Sequence, residues 1–318
     1  ELASSYAALR EQRVPELPAL PIQYPDYALW SREPAQRARE EQQLAYWRER
    51  LEDGSYALDL PPRELDAASS ELGAAARLRA VLPDAATERL RALAAEHGTT
   101  PFVVLLALAK LTLGAHANQR DLRVGVPVAN RERPEVQGLI GCFVNTLVVR
   151  SDLAPELSFT QLARALHDEL LRAQEHADVP FERIVEALAP ERDLDRAPLF
   201  QVLVVMQTAR IRQGAFAGLE LREIDVPPAA APFDLTIELH DDGRELAVGF
   251  EYRQVRFAAQ QVARMRRTFD HLLEQVVEGP QRRLGELDLV APSDAARVAA
   301  WNDTRVDYAG PRTLAAAL

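Results

Sequence analysis

The chain has 318 residues, 47% of them hydrophobic, and a formal net charge of -11. That length suffices for two packed lobes, and the scattered acidic surplus argues against nucleic acid as a partner. No uninterrupted apolar run is long enough for a bilayer, which argues against a membrane role, and the single cysteine, Cys142, rules out an intramolecular disulfide and fits a reducing, cytoplasmic setting.

Residues 1–13 place Leu2, Tyr6 and Leu9 at helical spacing. No signal peptide is visible there. The first Met is Met206, and the opening reads as mid-helix, so the expectation is a piece of a longer polypeptide. Four prolines between Pro15 and Pro25 predict an extended loop that carries PIQYPDYALW. Tyr24, Tyr27 and Trp30 in it each offer a large apolar body and a polar tip, the composition of a packing plug.

Residues 33–52 read as a charged amphipathic helix with Leu44, Trp47 and Leu51 on one face. A proline-containing loop over 57–70 and a weakly alternating strand over 75–82 follow. Asp84 is placed to cap a helix that Gly98 closes. Thr100 and Pro101 then form an N-cap and first-turn pair. The helix they start, PFVVLLALAKLTLG, is apolar on nearly every face and must lie centrally. It holds Lys110, the only lysine.

Residues 121–128 predict a strand, and so does the stretch LIGCFVNTLVVR at 139–150. Within that strand Cys142 is expected to be a small core residue, because a thiolate is disfavoured in apolar surroundings. Asn145 is the one amide in it. A buried amide must be hydrogen-bonded, so Asn145 either ties down a neighbouring loop or lines a polar channel. Ser158 and Gln161 form a capping box for a helix to about His176. A short helix over 180–188 follows, then strands over 199–207, 219–226 and 233–240. Asp241, Asp242 and Gly243 turn the last of these into 246–252 as a hairpin. Residues 257–278 form a long helix with Val262, Met265, Phe269, Leu272 and Val276 on one stripe, stopped by Gly279 and Pro280. Beyond Pro292 the apolar pattern thins into a linker-like tail. Alternating strands and helices with a late hairpin predict an α/β fold with mixed sheets and flanking helices.

Chemistry-bearing motifs are scarce. There is no GxGxxG, P-loop, HExxH, GxSxG or cysteine pair, so metal and nucleotide sites have nothing to rest on. His97 and His176 sit where helices end, where a capping role suits an imidazole.

Six stretches, in order, resemble the later core motifs of nonribosomal peptide synthetase condensation domains. They are YPDYALW (24–30), VGVPVANRERPE, IGCFVNTLVVR (140–150), HADVPFERIVEAL (176–188), RDLDRAPLFQVLV (192–204) and PFDLTIEL. The tail AAWNDTRVDYAGPRTL resembles the linker that leads into an adenylation domain. The resemblance implies a chloramphenicol-acetyltransferase-like two-lobed fold with an incomplete N-terminal lobe. Residues 1–80 would be the end of that lobe and the crossover, 81–290 the C-terminal lobe, and 291–318 the linker and the start of an adenylation domain.

The implied reaction joins a donor acyl or peptidyl thioester to the α-amine of an acceptor aminoacyl thioester. The implied partners are donor and acceptor carrier proteins, which bring their own phosphopantetheine, together with the missing lobe and the adenylation domain; no cofactor is bound by the chain itself. The family's HHxxxDG motif is absent, so no residue here is assigned as catalytic and the chain alone is expected to be inactive. Asn145 is the expected channel-lining residue. Arg131 is the candidate partner of the missing motif's Asp, or else an ordinary surface Arg. Tyr24, Tyr27, Trp30 and Gln201 are expected to support the site. Two other readings stay open: a non-catalytic docking scaffold for carrier proteins, and an independent acyltransferase with another base such as His176.

Overall fold

The structure is a computed structural model that describes residues 1–54, 56–62, 74–188, 196–208, 219, 224, 226 and 229–305. Its centre is a six-stranded mixed sheet: β1 (Ala75–Val81), β2 (Asp121–Val128), β3 (Asn145–Asp152), β4 (Val202–Gln207), β5 (Leu235–Asp241) and β6 (Leu246–Arg253). The spatial order is β1-β6-β5-β4-β2-β3. The β2–β4 and β4–β5 pairs are parallel and the other three pairs antiparallel. The predicted hairpin is β5–β6, where Asp241 faces Leu246 and Asp242 Oδ1 accepts the backbone N–H groups of Arg244 and Glu245. The 80/81 division expected between lobes falls inside β1, which pairs with β6 along its whole length. Most of the expected strand at 219–226 lies outside the described residues, as do residues 192–195 of the 192–204 motif and 306–318.

Helices α4 (Asp84–Glu96), α5 (Pro101–Ala117), α7 (Phe159–Glu175) and α9 (Ala259–Glu278) pack together over one face of the sheet. Thr100 Oγ1 accepts the Val103 N–H and Pro101 opens α5, as the sequence predicts; Asn118 closes the helix in a left-handed turn. The helix is apolar all round because it is enclosed all round. Lys110 on it is fully buried, and its Nζ donates to Leu122 O and Val149 O, both at 2.9 Å. Burial pushes the Lys110 ammonium down to about 7. The Ser158–Gln161 capping box starts α7.

On the other face α3 (Pro34–Leu51) and α8 (Phe181–Leu188) pack on each other, and α8 packs on β3. Leu44, Trp47 and Leu51 of α3 join Leu147, Val148, Ile184 and Phe200 in a second core. Val124 and Val126 of β2 face the main core, so alternation turns Gly125 to this side. A Cβ there would stand 2.3 Å from the Phe200 ring, so the glycine makes room for the aromatic that seats α8. The C-terminal end of α3 is pinned by charge: Arg50 donates to Glu169 Oε1 at 2.6 Å and to Arg150 O, while Arg150 returns a bond to Arg50 O. Glu169 is buried and shared by Arg50 and Arg172, which is how a buried carboxylate is tolerated.

A third, small core lies apart from both. It joins Val136, Leu139 and Phe143 to Leu20, Ile22, Tyr24 and Tyr27. It packs α2 (Tyr24–Trp30) against the segment around α6 (Pro134–Gln137). The sequence predicts a loop over 21–30, but Tyr24–Trp30 is helical, because Pro25 falls in the first turn and Asp26 Oδ2 accepts the Gln23 N–H. The short α1 (Leu2–Arg10) precedes it. At the other end, α10 (Pro292–Asn302) is a helix where a linker-like tail is expected, tied to α9 by Asp294 and Arg267.

The predicted strand at 139–150 is corrected most. Only Asn145–Asp152 is strand; residues 139–144 are loop, with Ile140 78% and Val144 63% exposed. Cys142 is therefore exposed, not a core residue. Apolar composition alone cannot separate a strand from a loop whose carbonyls are claimed by side chains.

Candidate functional site

Helices α2, α3 and α8, with the segments that follow β2 and lead into β3, line a half-open cavity of about 680 Å³. One wall is the elbow between α2 and α3, with Tyr27, Ser31, Arg32, Arg37 and Glu40. The facing wall is the approach to β3, from Cys142 to Thr146. The third wall is the α7–α8 turn, with Asp178, Pro180, Phe181, Glu182 and Arg183.

Asn145 stands where the second and third walls meet. Its Nδ2 donates to Ala177 O at 2.9 Å and Val179 O at 2.7 Å; its Oδ1 accepts the N–H groups of Thr146 at 2.8 Å and Phe181 at 3.1 Å. Both donors and both acceptor positions of the amide are engaged. Asn145 ties down the α7–α8 turn and also stands in the cavity wall. It keeps no free donor to offer a ligand.

Arg131 builds the loop that carries the second wall. Its Nη1 donates to Val136 O and Leu139 O, both at 2.8 Å, and its Nη2 to Gly141 O at 3.2 Å. The guanidinium also lies 4.2 Å over the Phe143 ring. One guanidinium thus gathers three backbone carbonyls of the 136–141 segment.

The aromatic residues of α2 close on the same loop. Tyr24 Oη donates to Cys142 O at 2.9 Å, and its ring meets the Phe143 ring edge-on at 5.2 Å. Tyr27 lies 4.8 Å from Phe143, and Trp30 lies under Arg133 at 4.2 Å. Gly141 permits the approach, since a Cβ there would stand 2.2 Å from the Tyr24 ring. Of these three aromatics only Tyr27 lines the cavity. Burial pushes its phenol above the usual range, with Asp178 acting in the same direction.

Gln201 is elsewhere. It is buried, accepts the Leu58 N–H at 2.8 Å and donates to Ala197 O at 2.9 Å, so it fastens the start of β4 to the segment before β1. His176 ends α7, with Nδ1 2.7 Å from Arg172 O and the ring stacked 4.1 Å from Tyr46. It is not among the lining residues. Among the described residues no His, Cys, Asp and Glu cluster is placed to hold a metal ion, and no single helix is long and apolar enough to cross a membrane.

The charged lining was not legible in the sequence. Asp178 is engaged by Arg39 at 2.7 Å and by Gln43, and Arg183 by Glu186 at 3.1 Å. Burial pushes the Glu40 carboxyl upward while Arg183 and Arg37 pull it down. Arg32 in the turn after α2 and Arg37 in the first turns of α3 line the cavity together with residues far along the chain.

Comparison with known proteins gives a consistent picture. Residues 1–298 match the family described as Condensation domain. The chain is 35% identical over 318 residues to one of the linear gramicidin synthase subunits of Brevibacillus parabrevis, covering 99% of this chain and 4% of that protein. It is 37% identical over 276 residues to phosphinothricin tripeptide synthetase PhsC of Streptomyces viridochromogenes, covering 86% of this chain and 25% of that one. Among solved structures, the X-domain from teicoplanin biosynthesis superposes with a TM-score of 0.75 at 27% identity, over 90% of this chain and 66% of that one. A four-domain nonribosomal peptide synthetase bound to AMP and glycine gives 0.75 at 22%, over 91% of this chain and 23% of that one. The chain spans only 4% to 6% of the length of the three linear gramicidin synthase subunits it matches.

Proposed function

The chain belongs to the condensation-domain family, and from that premise we propose that its cavity is one side of an amide-forming centre in a nonribosomal peptide synthetase. Its fold is the chloramphenicol-acetyltransferase-like one of that family. The observation that carries the reading is convergence. Residues from YPDYALW, from IGCFVNTLVVR and from HADVPFERIVEAL, distant from one another in the chain, meet around a single cavity.

In the proposed reaction an acceptor aminoacyl thioester and a donor acyl or peptidyl thioester arrive on the phosphopantetheine arms of two carrier proteins. The acceptor amine nitrogen attacks the donor carbonyl; a C–N bond forms, the C–S bond breaks, and the proton leaves with the released thiol. An α-amine has a pKa of about 8, so part of it is neutral at pH 7. A thioester is already activated, and holding both groups in line supplies much of the acceleration. These 318 residues contain no HHxxxDG, and no histidine is among the cavity's lining residues. We assign them the wall and the support: Asn145 and Arg131 shape the loops, Tyr24, Tyr27 and Trp30 brace them, and Arg131 is the candidate partner for the Asp of that motif. Gln201 supports the core behind them. The chain alone is proposed to be inactive.

The proposed layout keeps a first lobe and crossover, a second lobe drawn from β1 to about 290, and a linker toward an adenylation domain beyond it, in a cytoplasmic synthetase. Engagement of His176 at the end of α7 speaks against an independent acyltransferase with that base.

The test compares this chain with the same chain joined to a segment that bears HHxxxDG, both offered donor and acceptor carrier proteins loaded with aminoacyl thioesters. Dipeptide from the joined form only is expected. Dipeptide from neither would favour a docking scaffold. Turnover by the chain alone, abolished by His176→Ala, would favour the independent acyltransferase.

A further inference from the structure

The N-terminal part of the chain is fastened unevenly. Helix α3 is held along its length to α7 and the turn after it: Arg39 and Gln43 bind Asp178, Trp47 donates to His176 O, and Arg50 pairs with Glu169. The elbow before it is closed by its own backbone, with the Ser31 N–H on Tyr27 O and the Glu33 N–H on Trp30 O. Helix α2 is fixed by Tyr24 on Cys142 O and by the contact of Tyr27 with Phe143. The cavity's walls therefore form one packed body, which begins near Leu20 in the small third core. Just before it the fastening stops. Among the described residues no hydrogen bond or ion pair involves any of residues 14–19. Val14 is 82% exposed and Leu17 44%, so apolar packing does not hold them either. On the far side, α1 buries only Ala8 and turns Leu2 and Leu9 to solvent.

We propose that residues 14–19 are a joint: α1 moves on them relative to the cavity, while α2 and α3 move with the sheet. The physical reason is a contrast in local stability. A stretch with no bonds and no buried apolar side chain changes conformation at little cost. Releasing α3 instead would take from the buried Glu169 one of its two arginine partners and would uncover Trp47. A joint placed after α3, where the sequence alone suggests the lobes divide, would have to break all of those contacts. Pro15 and Pro18 keep the joint extended and semi-rigid, at about 3 Å per residue, so it swings more than it collapses. Gln12 precedes it in a left-handed turn, with φ of 54°. In the synthetase proposed above, motion here changes how far a segment linked through α1 reaches toward the cavity, without deforming the cavity's own walls.

The test measures distances between nitroxide labels in the full chain by double electron–electron resonance, with Cys142→Ser removing the native thiol. Labels go on exposed positions: Glu49→Cys in α3 with Arg164→Cys in α7, and Ser4→Cys in α1 with Arg164→Cys. The expected result is a narrow distribution for the α3–α7 pair and one roughly threefold wider for the α1–α7 pair. Adding Pro15→Gly and Pro18→Gly should widen the second further and leave the first unchanged. If both pairs are equally narrow, α1 is seated on the packed body and there is no joint. If the α3–α7 pair is as wide as the other, α3 does not move with the sheet. Either result overturns the inference and leaves the proposed reaction standing, because dipeptide formation tests that separately.

Discussion

Asn145 holds Phe181 in place: the Asn145 Oδ1 accepts the Phe181 N–H at 3.1 Å while its Nδ2 spans the carbonyls of Ala177 and Val179. One amide thus fixes the turn between α7 and α8 to the first residue of β3. Asn145→Ala leaves those backbone groups without their partner. A loss of about 2–3 kcal/mol is expected from urea unfolding. Asn145→Asp is expected to cost more at pH 7, because a carboxylate would face two carbonyls. Its folded pKa is then raised, so the penalty exists above that pKa and eases as pH falls toward about 4. Equal stability of Asn145→Asp and the unaltered chain at pH 7 would refute the arrangement.

Gly141 lies against the Tyr24 ring with no room for a side chain. Gly141→Ala must push α2 away from the loop and is expected to cost about 1–3 kcal/mol. Trp30, at the end of α2, reports the shift in fluorescence. Tyr24→Phe loses only the bond to Cys142 O and should cost about 1 kcal/mol. A larger loss from Tyr24→Phe than from Gly141→Ala would be inconsistent with this packing.

Trp47 is wholly buried and donates its Nε1–H to His176 O at 3.0 Å. Trp47→Ala is expected to lose about 3–5 kcal/mol. Trp47→Phe keeps most of the contact area but loses the bond, and should fall well short of that. Thermal melts of the two variants separate packing from hydrogen bonding.

Lys110 gives the chain a pH dependence with a definite sign. Its folded pKa is lowered to about 7 by burial, against about 10.5 in the unfolded chain. Between these values the unfolded state binds more protons, so the Lys110 contribution is full above about 10.5 and is lost as pH falls through about 7. Relative to Lys110→Met, the unaltered chain should gain about 2–3 kcal/mol between pH 7 and pH 9.5. Parallel urea midpoints for the two proteins across that range would rule this out.

Cys142 is exposed beside the cavity. Being the only thiol, it should give a single maleimide adduct in the native protein, at a rate within about tenfold of the unfolded chain. Labelling only after denaturation would mean the 139–144 segment is the buried strand its composition suggests.

Much of the frame was readable residue by residue. Thr100 and Pro101 announce α5, Ser158 and Gln161 announce α7, and the turn at Asp242 announces the β5–β6 hairpin, because caps and turns are local hydrogen-bond chemistry. The all-round apolar α5 could only be central. The collinear motifs also identify the family, and residues 1–298 match it. The site was half readable. Asn145 could be singled out, since an amide in apolar surroundings demands partners, yet which partners it has depends on a turn far along the chain.

The sequence by itself determined most of the elements and the family, since propensity, capping and patterning act over a few residues, but not helices α2 and α10. Only the tertiary structure decided that 139–144 is loop. There Arg131 takes up the carbonyls of Leu139 and Gly141, and Tyr24 that of Cys142. It alone placed Arg32 and Arg37 opposite Phe181 and Glu182 around one cavity. Side chains from distant segments made those choices, and no local pattern records which distant partner satisfies a given backbone group.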